Sequence, residues 1–101
     1  MLTVDEIRKD LLDIRYYYTR KSVFDNSGIA NQITEKVKRY NAAVRTAEPR
    51  LFDLYVCLYI KNQTQEGAAS ELCWSTVYVQ KLHTRLVLFF HAQLNKEGGA
   101  A

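Results

Sequence analysis

An all-α fold is what this 101-residue sequence predicts, and three observations carry that reading. Breakers are scarce: there are four glycines and one proline, and Gly98 and Gly99 stand at the far end. Apolar residues recur at three- and four-residue spacing over long stretches, the period of a helix face. A composition of 48% apolar and 25% charged residues is that of an ordinary globular domain and excludes a disordered tail. The length suits one folded unit, 1–101, built from about five helices.

The elements follow in order. Thr3-Val4-Asp5-Glu6 has the form of a capping box, Thr3 accepting from first-turn amides and Glu6 reaching back. Val4, Ile7, Leu11, Ile14 and Tyr18 then mark one stripe of a helix extending roughly to Val23. Phe24-Asp25-Asn26-Ser27-Gly28 is a turn by composition. A second long helix buries Ile29, Ile33, Val37, Tyr40 and Val44 and turns Lys36, Lys38, Arg39 and Arg45 to solvent. Pro49 ends it, because the residue before proline avoids the helical region and proline suits a first turn. Helix three spans Arg50 to about Ile60 and buries Leu51, Leu54, Tyr55 and Leu58; Lys61-Asn62-Gln63 links it to Thr64. The two long N-terminal helices thus occupy 1–48, a second group of helices occupies 49–95, and 96–101 is expected to be a flexible tail.

Several function classes are expected to be absent. Two cysteines are too few for a disulfide scaffold and too sparse for a zinc site. No apolar run approaches the roughly 18 residues of a membrane span, and the first residues do not resemble a signal peptide, so a soluble cytoplasmic protein without membrane partners is expected. No nucleophile elbow, P-loop or glycine-rich phosphate cradle occurs, so neither enzymatic activity nor a cofactor is expected. His83 and His91 lie two helical turns apart and do not form an i, i+4 metal pair; His83 reads as a phosphate contact or a surface residue. Net charge is +3; residues 1–48 carry nine Lys/Arg against seven Asp/Glu, and residues 49–101 five against four. The bias is local: from Ser75 to Leu94 there are Lys81, Arg85 and two histidines but no acid.

Residues 64–82 read TQEGAASELCWSTVYVQKL. Thr64 and Ser75 are both good N-cap residues, each followed by a helix-forming run, which gives a short helix, a tight turn and a second helix, the helix-turn-helix arrangement. Ala69 is small where the two helices press closest. Leu72, Trp74, Val79 and Leu82 form the wedge between them. Thr76, Val77, Gln80, Lys81 and Thr84 are left facing outward.

Pro49 to Leu94 resembles the fourth region of sigma factors, whose pattern is a leading helix followed by S/T-x-x-x-x-A-x-x-L-G-x-S-x-x-x-V-x-x-L. Thr64, Ala69, Leu72, Ser75, Val79 and Leu82 stand in the matching places. The wider run from IRYYYTRKSVFD through KVKRYNAAVRTAEPRLFDLYV to NQTQEGAASEL is similar to small sigma-like regulators of prophages and integrative elements. The resemblance implies a sequence-specific transcriptional regulator that binds double-stranded DNA. In that reading Thr64 to Leu72 lies across the backbone with its N-terminus facing a phosphate, and Ser75 to Arg85 enters the major groove. Thr64, Ser75, Thr76, Val77, Gln80, Lys81, Thr84 and Arg85 are its DNA-binding residues. Where the family has glycine this chain has Cys73, in a turn that needs positive φ. The family's promoter-melting segment is missing from the sequence, so a complete sigma factor is not expected.

Other readings stay beside this one. The helix-turn-helix also serves as a protein contact module, here one that binds RNA polymerase without reading DNA. A small terminase-like packaging subunit joins the same motif to an oligomerising part, and a ring-sized particle in light scattering would mark it. Tyr16-Tyr17-Tyr18 invites base stacking, but Tyr18 reads more simply as the continuation of the apolar stripe. Leu86, Phe89, Phe90 and Leu94 either complete the core or form a homodimer seam. A redox role for Cys73 lacks an adjacent resolving cysteine.

Overall fold

The computed structural model describes residues 1–21 and 31–99, and among these every element is helical. The five helices are α1 (Val4–Thr19), α2 (Asn31–Val44), α3 (Pro49–Tyr55), α4 (Gln65–Leu72) and α5 (Thr76–Gly99). The expected turn at 24–28, Ile29 and the last residues expected of helix one lie outside the described residues.

Local signals start the helices where the sequence places them. Thr3 Oγ1 accepts from the Glu6 N–H at 3.1 Å while Glu6 Oε1 accepts from the Thr3 N–H at 3.0 Å, a reciprocal cap on α1. Pro49 occupies the first turn of α3, where a missing N–H costs nothing. Thr64 caps α4 through Gly67 N–H at 3.0 Å, and Ser75 caps α5 through Tyr78 N–H at 3.1 Å.

Three boundaries and registers differ from the sequence reading. α1 ends at Thr19 rather than near Val23, because Arg20 leaves the helical region at φ −124° and ψ 36°. Its buried stripe is Ile7, Leu11, Ile14 and Tyr17; Tyr17, one residue before the expected Tyr18, continues it. α5 continues through the expected tail to Gly99 and is the longest of the described helices, with 24 residues. Nothing between Leu94 and Glu97 breaks a helix, and Asn95 is anchored: its side chain accepts from Leu2 N–H at 2.7 Å and donates to Leu2 C=O at 2.9 Å.

α3 runs without a break into a single wide turn, Val56–Ile60, in which the Lys61 N–H bonds the Val56 carbonyl five residues back at 2.9 Å. The wide turn brings three consecutive side chains, Cys57, Leu58 and Tyr59, into the core together with Leu54 and Tyr55. A segment apolar on all sides belongs in the middle of a fold, and this one packs against both α1 and α4.

The core closes on aromatic rings. Phe90 of α5 lies 4.9 Å from the Tyr40 ring and 5.6 Å from the Tyr55 ring. Buried tyrosines need partners for their hydroxyls. Tyr40 donates to Asp10 Oδ2 at 2.7 Å; Tyr55 donates to Asn41 Oδ1 at 2.6 Å, and Asn41 donates on to the Tyr18 hydroxyl at 2.9 Å. Burial above all, and then Asp10, raise the Tyr40 pKa, so this hydroxyl stays a donor. Lys36, expected on a solvated face, instead bridges to α1, 3.0 Å from Asp10 and 2.9 Å from Asp13. Burial opposes its charge, but the hydrogen bonds it donates to Asp13 and Asp10 outweigh that and raise its pKa. Leu86, Phe90 and Leu94 are buried and Phe89 half-buried, so the apolar stripe of α5 serves the chain's own core rather than an exposed dimer seam.

Candidate nucleic-acid interface

α4, the three-residue connection 73–75 and α5 form the surface singled out by the sequence. The turn is made by Cys73, left-handed at φ 59° and ψ 37°. Trp74 N–H bonds the Ala69 carbonyl at 2.9 Å and Cys73 N–H bonds the Ser70 carbonyl at 3.3 Å. This pair of bonds is the Schellman ending, which satisfies two carbonyls at the end of α4 and reverses the chain into Ser75. Ala69 is buried between the helices; Val79 and Leu82 are buried beside it, with Leu72 and Trp74 half-buried against the same cluster.

The expected contact residues do not all sit alike. Thr76, Val77, Gln80, Lys81, Thr84 and Arg85 are exposed on α5, with Val77 at 57%. Thr64, Gln65 and Glu66 from the start of α4 face Thr76 and Gln80 across a cleft of about 440 Å³. Lys81 and Arg85 lie on the other flank of the helix, one turn apart. Val77 and Thr84 form the crest between, and Thr84 Oγ1 also donates to the Gln80 carbonyl at 3.3 Å. The Ser75 hydroxyl is committed to its cap bond, so it acts on the position of α5.

Two features of the electrostatics were not legible in the sequence. The stretch from Ser75 to Leu94 has no acid of its own, yet Arg85 Nη2 donates to Glu48 Oε1 at 2.7 Å. Glu48 Oε2 lies 3.7 Å from Arg50 Nη2, and Arg50 Nη1 donates to the Tyr78 hydroxyl at 2.5 Å. Lys81 has no ion-pair partner among the described residues. Second, His83 is no phosphate contact or plain surface residue: it is half-buried, its Nε2 is 2.5 Å from the Tyr59 hydroxyl, and Arg15 lies 5.1 Å over the Tyr59 ring. Burial, and then Arg8 and Arg15, lower the His83 pKa, while burial raises that of Tyr59. A neutral imidazole and a protonated tyrosine share one hydrogen bond here, whose direction is set by the histidine tautomer.

Cys73 is exposed. Cys57 is buried, and its thiol donates to Glu71 Oε2 at 3.0 Å; burial first, then Glu71, push its pKa up to about 11, which keeps the reactive thiolate scarce. Among the described residues no group of three His, Cys, Asp or Glu is arranged to hold a metal ion, and no helix is long and apolar enough to cross a membrane. A second cleft, between α1 and α2, mixes Asp10 and Glu35 with Lys36, Lys38 and Arg39, so no single sign of charge dominates it. Set against protein-family models, curated protein sequences and solved structures, the chain matches none of them at a significant level.

Proposed function

We propose that this chain is a DNA-binding transcriptional regulator of the sigma-like helix-turn-helix type, acting in the cytoplasm and without catalysis. The observation that carries the reading is the unit around Cys73. Two helices, each capped by a hydroxyl, are joined by residues 73–75 with Cys73 left-handed, and the second presents Thr76, Val77, Gln80 and Thr84 clear of the core. Small polar side chains on such a helix suit base edges in the major groove; Gln80 can pair with adenine in two places, and Val77 can meet a thymine methyl. Lys81 on the flank suits a phosphate.

Salt titrations of binding to duplexes selected from a random pool, and to scrambled duplexes, test this. Gln80→Ala should lose roughly 1 to 3 kcal/mol on the selected site and little on scrambled DNA. No preferred site in the wild type, together with no effect of Gln80→Ala, overturns the reading. A protein-contact module is the second reading, with RNA polymerase as its partner. It is favoured by Glu48 neutralising Arg85 and by Glu66 in the cleft, both of which lower the potential offered to phosphate.

A further inference from the structure

Glu48, Arg50, Tyr78 and Arg85 form a small cluster at the rim between α3 and α5, of which only Arg85 is among the DNA-binding residues expected from the sequence. Two guanidinium groups converge on one carboxylate: Arg85 on Oε1 at 2.7 Å and Arg50 on Oε2 at 3.7 Å. The side chains of all three are about half exposed, at 52%, 55% and 46% for Arg85, Arg50 and Glu48. Glu48 is the N-cap residue of α3 but makes no side-chain cap bond, so its carboxylate is not needed to start the helix. Arg50 is steadied from the other side by the Tyr78 hydroxyl, and the Tyr78 ring packs edge-on against Trp74 at 5.3 Å.

We propose that Arg50 and Arg85 form a phosphate clamp for the DNA backbone, in which the Glu48 carboxylate holds the place of a phosphate until DNA arrives; this rests on the DNA-binding reading above. The chemistry is that of two planar forks around one anion, a geometry equally suited to carboxylate and phosphate oxygens. The site lies on the flank of α5 that also carries Lys81, one turn before Arg85, so the cations together outnumber the single acid by three to one. A helix lying in the major groove brings its flank against a phosphate strand, and surface ion pairs are weak enough to be exchanged there. The resident carboxylate then costs affinity on every sequence equally, because backbone contacts carry no base information. The clamp also gives Arg50, outside the motif, the same role as Arg85.

The test uses the full chain and the same salt titrations on selected and scrambled duplexes. Arg50→Gln should weaken both alike and lower the salt slope by about one unit, while Arg50→Lys should keep most of the slope because it keeps the charge. Glu48→Gln should tighten both several-fold without changing the ratio between them. Superimposable circular dichroism melts establish that each variant is folded. An unchanged slope for Arg50→Gln with no gain for Glu48→Gln overturns the clamp and leaves the DNA reading standing, provided the wild type still prefers its selected site. A wild type that binds neither duplex removes both, and leaves the cluster as a surface for a carboxylate-bearing protein partner.

Discussion

Cys73→Gly is expected to stabilise the protein, although it removes a side chain. Cys73 holds φ 59° and ψ 37°, where a Cβ crowds the following carbonyl, at a cost of about 1 to 2 kcal/mol for a residue other than glycine. Its side chain is exposed and contributes no core packing. Glycine relieves the strain but gives the unfolded chain more freedom, which takes back about 0.4 to 1 kcal/mol. The difference is a gain of roughly 0.5 to 1 kcal/mol, or a rise in Tm of about 2 to 8 °C for a chain of this length. Thermal and urea melts of wild type, Cys73→Gly and Cys73→Ala read it out. Alanine keeps the Cβ and so should not reproduce the gain. A lower Tm for Cys73→Gly, or an equal rise for Cys73→Ala, would refute the argument from backbone strain.

Two further predictions concern the support beneath the same surface. Ala69→Leu should lower stability by about 1 to 3 kcal/mol, since Ala69 is only 4% exposed where α4 meets α5 and added methyl groups push the helices apart; a melt equal to wild type would show slack at this crossing. His83 makes stability depend on pH in a defined direction. Its folded pKa lies below the ordinary 6.5, so the unfolded chain takes up the proton first and stability falls as pH drops below 6.5. Glu6 and Glu71, held below 4.5 by hydrogen bonds from Thr3 and Cys57 respectively, act only at lower pH, so the interval from 6.5 to about 5 isolates the histidine. His83→Gln should flatten urea-derived stability across that interval, and an unchanged slope would exclude His83 as its source.

What could be read in the sequence is what is settled within a few residues. The caps at Thr3, Thr64 and Ser75 each bond an amide three positions on, and the proline at 49 acts on its immediate neighbours, so residue type and spacing suffice. Positive φ at Cys73 has no such local signal, since cysteine does not favour it; it is expected only from the place where the resembled family has glycine. The stripe of α1 shows where this stops. Positions 17 and 18 both continue an i, i+3/i+4 pattern, and both are tyrosine. The choice between them depends on the line along which α2 and the wide turn at 56–60 meet the helix, which no local pattern encodes. The wide turn itself has no signature in VCLYI; it forms where packing several apolar side chains inward outweighs regular hydrogen bonding.

Charge shows the limit most clearly. In sequence, α5 from Ser75 to Leu94 is free of acids and suggests an open anion-binding face. In space, Glu48 meets Arg85 from one side and Glu66 lines the cleft by Thr76 and Gln80 on the other. The crest between them, Val77 and Thr84, is uncharged. A face of this kind gains little from phosphate attraction alone, because few cations meet phosphates and so few counterions are released in total. Under the DNA reading its discrimination must then come from uncharged groups at base edges, Gln80 above all, and its grip on the backbone from the few cations along the α3 rim. That division is why substitutions at Gln80 and at Arg50 should separate: the first is expected to alter the ratio between selected and scrambled duplexes, and the second the salt slope of both.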